Sequence, residues 1–362
     1  MKIDFYISSL SSGGAEHVLT NLAADFAEKG HDVCIASYEK RPQFYAVNSQ
    51  VKVNKYDNSK HNKFIELLKD FNATRRQLKE RKSQVAISFL SRCNIMLIIA
   101  GLFSKTKIIV CDRNNLLRKY PKYVFTVSCW IYAFADAVCV QTNEMKSFYP
   151  RYLQKKMYVL ENPLDFAEMQ KQCVGQKIEK KNTILSIGRL ERQKDFPTLL
   201  RAFAKVCQDF PLWNLKIYGQ GNRKEEFEKL IKELNLEGRA ELCGVTHTPF
   251  LEMKNSQLFV LSSFWEGFPN VLCEAMYAGL PCIATRCECG PAELIREGEN
   301  GFLVPIGNVE QMANKMHFLM SNEEKRTELG AHAKESVMRL EKSKVSRRWL
   351  EMAMDIVGTE EI

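Results

Sequence analysis

Two carboxylates and two cations in the second half of the chain have the types and spacing for holding a phosphorylated ligand. Glu266 and Glu274 stand eight residues apart with Gly267-Phe268-Pro269-Asn270-Val271 between them, and Arg189 and Lys194 stand five apart. A guanidinium clamps one phosphate through two parallel N–H groups, and an ammonium nearby neutralises the next. Leu258-Phe-Val-Leu-Ser-Ser reads as a short buried strand, Gly267 and Pro269 as a turn, and Asn270 onward as a helix ending at Gly279-Leu280-Pro281. The first N–H groups of such a helix, carrying the positive end of its dipole, form an anion site. With a phosphate there, Glu274 reaches a ribose diol, and Glu266 faces whatever hangs from the other phosphate. The plainer reading makes Glu274 half of a solvated helix pair and Glu266 a cap; spacing alone does not separate the two.

The run Glu266-x7-Glu274 with Gly267-Phe268-Pro269 inside it resembles the signature of glycosyltransferase family 4, retaining enzymes of the GT-B fold. The likeness continues through Ala278-Gly279-Leu280-Pro281, Gly290-Pro291-Ala292-Glu293 and Glu299-Asn300-Gly301-Phe302-Leu303-Val304-Pro305. It spans essentially the whole chain, most closely residues 183–305 and more loosely 40–135. The fold it implies is α/β, with two Rossmann-like, doubly wound parallel-sheet domains facing across a cleft. Domain limits follow as residues 1–163, a linker over 164–182, a nucleotide-sugar-binding domain over 183–341, and a C-terminal helix over 342–362 that returns to the first domain. By resemblance Arg189, Lys194 and Glu266 are the catalytic set. Donor contacts come from Gly13, Gly14, Gly244, Val245, the stretch Glu266 to Val271, and Glu274. The usual Glu-Lys-Gly of the family is Gln193-Lys194-Asp195 here, with the Lys kept.

The 362 residues suffice for two domains, and 45% hydrophobic with 26% charged residues is ordinary globular material. No apolar run approaches the roughly 18 residues needed to span a bilayer, and Ile95 to Phe103 reads as a buried element. Asp4 interrupts the first apolar run, so the start reads as a strand rather than a secretion signal. Twelve cysteines are scattered; Cys287-Glu288-Cys289 has no second pair to complete a zinc site. A reduced, cytosolic protein is expected. Charge is uneven: residues 1–163 hold 25 Lys/Arg against 14 Asp/Glu, and 164–362 hold 27 against 29. A basic first half suits an anionic surface.

Strands at Ile3–Ser9, Val33–Ser37, Val85–Leu90, Lys107–Cys111 and Ala137–Gln141 alternate with helices, the pattern of a parallel sheet. Gly13-Gly14 falls just after the first strand, where ligands bind in such sheets; a plain turn fits it equally. Asp112-Arg113-Asn114 resembles a turn of related polysaccharide glycosyltransferases, and with Arg92 it forms the acceptor-side candidates. Leu116 to Trp130 interleaves Arg118, Lys119 and Lys122 with Tyr120, Tyr123, Phe125 and Trp130, which suits a membrane interface. A structural surface is the alternative, and no nucleic-acid motif is present. In the second half Thr183–Ile187, Leu215–Tyr218 and Ala240–Val245 are further strands.

Transfer of a hexose or N-acetylhexosamine from a nucleotide-sugar, UDP-linked, is therefore expected. The acceptor expected is a glycan on undecaprenyl diphosphate, at the inner face of the membrane, feeding a surface polysaccharide. Arg189, Lys194 and the N–H groups of Phe268 to Val271 would take the leaving-group charge. No Asp-x-Asp clamp occurs, so no cofactor and no obligatory metal are expected. Rival readings are a nucleotide-sugar epimerase of the same architecture and a non-catalytic nucleotide-sugar-binding protein. A dinucleotide dehydrogenase is disfavoured, because Ser-Ser-Gly-Gly-Ala-Glu stands where Gly-x-Gly-x-x-Gly would follow the first strand.

Overall fold

The computed structural model describes the chain except residues 12, 39–42, 57–62, 114–120 and 359–362 and the side chains of 63 and 64. It divides into two compact units, Met1–Pro163 with Lys342–Ile362, and Leu164–Glu341. Each is built on one all-parallel sheet.

Among the described residues the first unit has seven strands: β1 (Lys2–Ile7), β2 (Asp32–Ser37), β3 (Lys52–Lys55), β4 (Val85–Phe89), β5 (Lys107–Cys111), β6 (Ala137–Val140) and β7 (Met157–Val159). Their order is β3-β2-β1-β4-β5-β6-β7. The central strands β1 and β4 are buried along nearly their whole length, as continuous apolar runs must be when helices cover both faces. Helix α1 (Gly14–Glu28) turns Val18, Leu19, Leu22, Ala23 and Phe26 inward, the stripe its period dictates. Helices α2 (Lys63–Arg81), α3 (Ser91–Gly101) and α4 (Lys122–Tyr132) lie in later crossovers of the same sheet. The C-terminal helix Lys342–Val357 also belongs to this unit. Its Trp349 is fully buried and stacks on Phe89 at a ring separation of 6.0 Å.

The second unit has six strands: β8 (Thr183–Ile187), β9 (Asn214–Tyr218), β10 (Ala240–Gly244), β11 (Leu258–Leu261), β12 (Cys282–Thr285) and β13 (Phe302–Val304). They run in the order β10-β9-β8-β11-β12-β13. One face packs around Leu199, Phe203, Phe227 and Met316, the other around Phe259, Leu272, Met276 and Leu340. In both sheets the strand order reverses beside the first strand, between β1 and β4 and between β8 and β11. Chain leaves in opposite directions there and a crevice opens at the carboxyl ends.

The α/β class and the two doubly wound parallel sheets expected from the sequence are present. Residues 164–182, expected as a linker, differ. They form helix α5 (Phe166–Lys171) and are part of the second unit. Phe166 stacks on Tyr277 with centroids 3.8 Å apart, and Gln172 accepts a bond from the Phe250 N–H at 2.9 Å. A Lys/Gln-rich composition concealed three buried anchors, Leu164, Phe166 and Met169. The stretch Ile95–Phe103 also departs from expectation: it is helix α3 to Gly101, and Phe103 beyond it is wholly exposed.

Candidate active site

The crevice beside β8 and β11 gathers the charged candidates of the second unit. Strand β8 is followed by Gly188, whose N–H donates to the Tyr218 carbonyl at 2.9 Å, and Leu190 N–H donates to the Gln220 carbonyl at 2.9 Å. These bonds clip the loop to the neighbouring strand. A short 3-10 turn, Arg192–Lys194, follows, and helix α6 (Phe196–Val206) begins after Asp195. Asp195 takes a left-handed conformation, φ +44°. That is where the family's usual Gly costs least, and Asp is among the few other residues that adopt it readily.

The loop after β11 is stitched to this one. Ser262 Oγ donates to the Lys194 carbonyl at 2.7 Å, Gln193 Nε2 to the Trp265 carbonyl at 2.9 Å, and Phe264 N–H to the Gln193 carbonyl at 2.8 Å. Within that frame Lys194 Nζ and Glu266 Oε1 form an ion pair of 2.7 Å, and Ser263 Oγ donates to the same oxygen at 2.5 Å. Thr285 Oγ1 in turn donates to the Ser263 carbonyl. The Lys194 stem runs across Gly188: a Cβ there would lie 2.9 Å from Lys194 Cε. Arg189 is exposed and lies against its own loop, 3.2 Å from Glu191 and 3.1 Å from Gln193 Oε1.

Helix α7 (Asn270–Tyr277) starts directly after Pro269, and the Val271 N–H has no acceptor among the described residues. Gly290 supports the turn from below at φ +117°, where a Cβ would meet Pro269 Cδ at 2.4 Å. The Glu274 carboxylate, one turn in, makes no hydrogen bond or ion pair to the described residues. Burial alone pushes its pKa up to about 7. An ionisable group left unpartnered in such a place is costly unless a ligand satisfies it. Gly244 closes β10 at φ +74°, and Val245 beside it is more than half exposed.

In the first unit Gly13 is the extended residue before α1, and a Cβ on it would fall 2.1 Å from Glu16 Oε2. The carboxylate of Glu16 thus folds over the start of α1, the position an anion would otherwise take. Gly14 is the first residue of the helix. Arg92 Nη2 donates to the buried Asp70 at 2.7 Å. Asp112 is buried and accepts from Asn94 at 3.1 Å, from Tyr132 at 2.8 Å and from Tyr149. Arg113 is buried over the Phe89 ring, 4.5 Å from its centroid, and donates to Asn162. Arg92 and Asp112 are thus engaged by the protein's own groups, Arg113 keeps its buried Nε and Nη2 without a partner among the described residues, and Asn114 lies outside the described residues. Sequence reasoning missed Gly188, Ser262, Ser263 and Thr285, which support the Lys194–Glu266 pair. The Ser-Ser at the end of a buried strand was their only signal.

Comparison with known proteins agrees with this architecture. Residues 170–336 match the model of Glycosyl transferases group 1, and residues 12–168 that of Glycosyltransferase Family 4. A relative from Campylobacter jejuni is 30% identical over 98% of this chain and 99% of its own. It is named GalNAc-alpha-(1->4)-GalNAc-alpha-(1->3)-diNAcBac-PP-undecaprenol alpha-1,4-N-acetyl-D-galactosaminyltransferase. Among solved structures, the Anabaena HepE protein in complex with UDP superposes with a TM-score of 0.79 at 18% identity, covering 97% of this chain and 99% of that one. Sucrose-phosphate synthase from Thermosynechococcus elongatus reaches a TM-score of 0.83 at 17% identity, over 99% of this chain and 100% of the other. The chain is a glycosyltransferase of the GT-B type and belongs to glycosyltransferase family 4.

Proposed function

We propose that this glycosyltransferase moves a hexosyl or N-acetylhexosaminyl group from a UDP-sugar to a hydroxyl of a lipid-linked glycan, with retention, in surface-polysaccharide assembly. The observation that carries the donor assignment is the Glu274 carboxylate, half-buried, without a partner among the described residues and one turn inside a helix whose Val271 N–H is open. A ribose diol would donate to that carboxylate while a phosphate sits on the helix start. Val245 offers an apolar face for the base.

In the reaction the bond from the anomeric carbon to the diphosphate oxygen breaks, and its electron pair leaves with the diphosphate. The acceptor oxygen bonds to the same face of that carbon, and its proton passes to the departing phosphate oxygen. Arg189, Lys194 and the open N–H groups stabilise the charge that develops, and removal of one such donor raises the barrier by about 2–4 kcal/mol. Glu266, held by Lys194 and Ser263, would accept hydrogen bonds from hydroxyls of the donor sugar. With two cations for the diphosphate, the reaction needs no obligatory metal, and activity should survive a chelator. The name of the Campylobacter relative, with its undecaprenol-linked acceptor and alpha linkage, supports the acceptor class and retention. The UDP in the Anabaena complex supports the nucleotide. Among the described residues no helix is long and apolar enough to cross a membrane, which fits a peripheral enzyme at the inner membrane face.

The test is UDP release from a panel of UDP-sugars, with and without membrane extract, in wild type, Glu274→Ala and Arg189→Ala. Acceptor-stimulated release from one donor, at least a hundredfold weaker in both variants, supports the reading. Equal release in wild type and variants sinks it.

A further inference from the structure

Helix α4 keeps a stripe of large apolar side chains in solvent. Tyr123, Val127 and Trp130, with Phe134 just past the helix end, recur at steps of four, three and four residues. At about 100° per residue these steps hold them within a narrow arc on one face. They are 71%, 48%, 65% and 70% exposed. The opposite face is anchored: Ser128, Cys129 and Tyr132 are buried, and Tyr132 Oη donates to Asp112. Asn94 of α3 donates to the same hydroxyl at 3.0 Å, so α3 and α4 lie side by side. Just past the end of α3, Leu102 is 40% exposed and Phe103 is wholly exposed. Phe103 has φ +68°, a left-handed conformation that is a strain for a bulky residue. The chain's own packing does not reward that strain.

The charge near this stripe is mostly positive, and its nearest carboxylate in sequence, Asp136, is taken up by Lys107 at 3.1 Å. Helices α3 and α4 contain no Asp or Glu. Lys122 opens α4, Lys105 follows Phe103, and neither has a carboxylate partner among the described residues. The first unit as a whole carries 29 Lys/Arg against 18 Asp/Glu, while the second carries 23 against 25. Apolar and aromatic side chains flanked in sequence by Lys122 and Lys105, on a unit with an excess of cations, match a surface that is apolar in depth and anionic at its face. A soluble protein partner or a second copy would explain the apolar stripe but not the one-sided charge.

We propose that this stripe, with Phe103 as its tip, seats the first unit in an anionic phospholipid bilayer. The inference deepens the lipid-linked acceptor reading by naming the surface that would hold the enzyme beside its acceptor, and it can be tested without any sugar substrate. The full chain is mixed with vesicles of phosphatidylglycerol and phosphatidylethanolamine, or of phosphatidylcholine alone, and partition is read by flotation. Tryptophan emission is read with brominated lipid as quencher. Trp213 and Trp349 are buried, and Trp265, in the second unit, is partly buried, so the quenching that belongs to the stripe is the part that vanishes in Trp130→Phe. The expected result is binding to anionic vesicles at least tenfold stronger than to phosphatidylcholine. Phe103→Ser combined with Trp130→Ser should weaken it at least tenfold, leaving the thermal melt and UDP release without vesicles unchanged. Equal binding to both vesicle types, or no loss in the double variant, overturns the proposal. So does a dimer in light scattering that the double variant dissociates, which would make the stripe a contact between copies. Vesicle binding without donor turnover would refute the proposed reaction and leave this surface standing; turnover without vesicle binding would do the reverse.

Discussion

Lys194 Nζ lies 2.7 Å from Glu266 Oε1, and both side chains are largely withdrawn from solvent. Each therefore holds the other in place before any donor arrives. Breaking a buried pair by removing one member strands the remaining charge and costs about 3–5 kcal/mol. Lys194→Ala and Glu266→Ala should each destabilise the second unit by an amount near the lower end of that range. The double variant should lose less than the sum. Urea unfolding of the two single variants and the double variant measures the coupling, and additive losses would show that the two groups act independently.

Glu274 makes a pH prediction whose sign follows from its environment. Burial raises its folded pKa from 4.5 to about 7, so folding opposes its ionisation. Stability then declines as pH rises from about 4.5 to about 7, by on the order of 3 kcal/mol. Glu274→Gln should raise the melting temperature at pH 8 and leave it unchanged at pH 4. Donor binding uses the ionised form, so the wild-type KM for donor should climb as pH falls below about 7. A wild-type KM flat between pH 5 and pH 8 would remove Glu274 from the donor site.

Gly188 is needed for the closeness of Lys194 rather than for a turn. A methyl there would displace the Lys194 stem, which passes 2.9–3.1 Å from the position of a Cβ. Flexible methylenes can move at little cost in stability, but the ammonium then leaves Glu266. Gly188→Ala should lower the melting temperature by only a few degrees while raising the barrier by about 2 kcal/mol, on the scale of one misplaced charge-stabilising donor. Steady-state kinetics beside a thermal melt separates the two effects.

Asp195 combines a left-handed backbone with a carboxylate whose pKa burial raises. Asn tolerates the same conformation and carries no charge to desolvate. Asp195→Asn should therefore stabilise the protein at pH 7, with the gain disappearing near pH 3, where the wild-type carboxyl is protonated as well. Asp195→Ala should cost about 1 kcal/mol or more, since Ala has no polar side chain to support φ +44°. Melting curves at both pH values decide it; a gain that persists at pH 3 would place its cause in packing rather than charge.

The sheet strands are legible because parallel strands covered on both faces must be continuous apolar runs. Thr183–Ile187 and Lys107–Cys111 fall where their sequences place them. Short strands at the far edges, such as β3 and β13, escape such a reading, since an edge strand or a three-residue one carries little pattern. Helix α5 is hidden for a related reason: three buried anchors among lysines and glutamines resemble a solvated linker until Tyr277 and Phe250 are seen to receive them.

By itself the sequence determined which residues could do chemistry and the type of element each sits on. Residue type and spacing are local properties, and the strand, glycine turn and helix around Glu266 and Glu274 need no distant partner to be recognised. What only the tertiary structure decided is which of those residues share an environment. Lys194 and Glu266 are 72 positions apart in the chain, and their pairing depends on β8 and β11 lying side by side where the strand order reverses. The same holds for Asp112 and Arg113, which local reading could leave open to a substrate. Tyr132, Tyr149, Asn94 and Phe89 come from other elements, and only their packing shows Asp112 hydrogen-bonded within the fold and Arg113 buried over a ring.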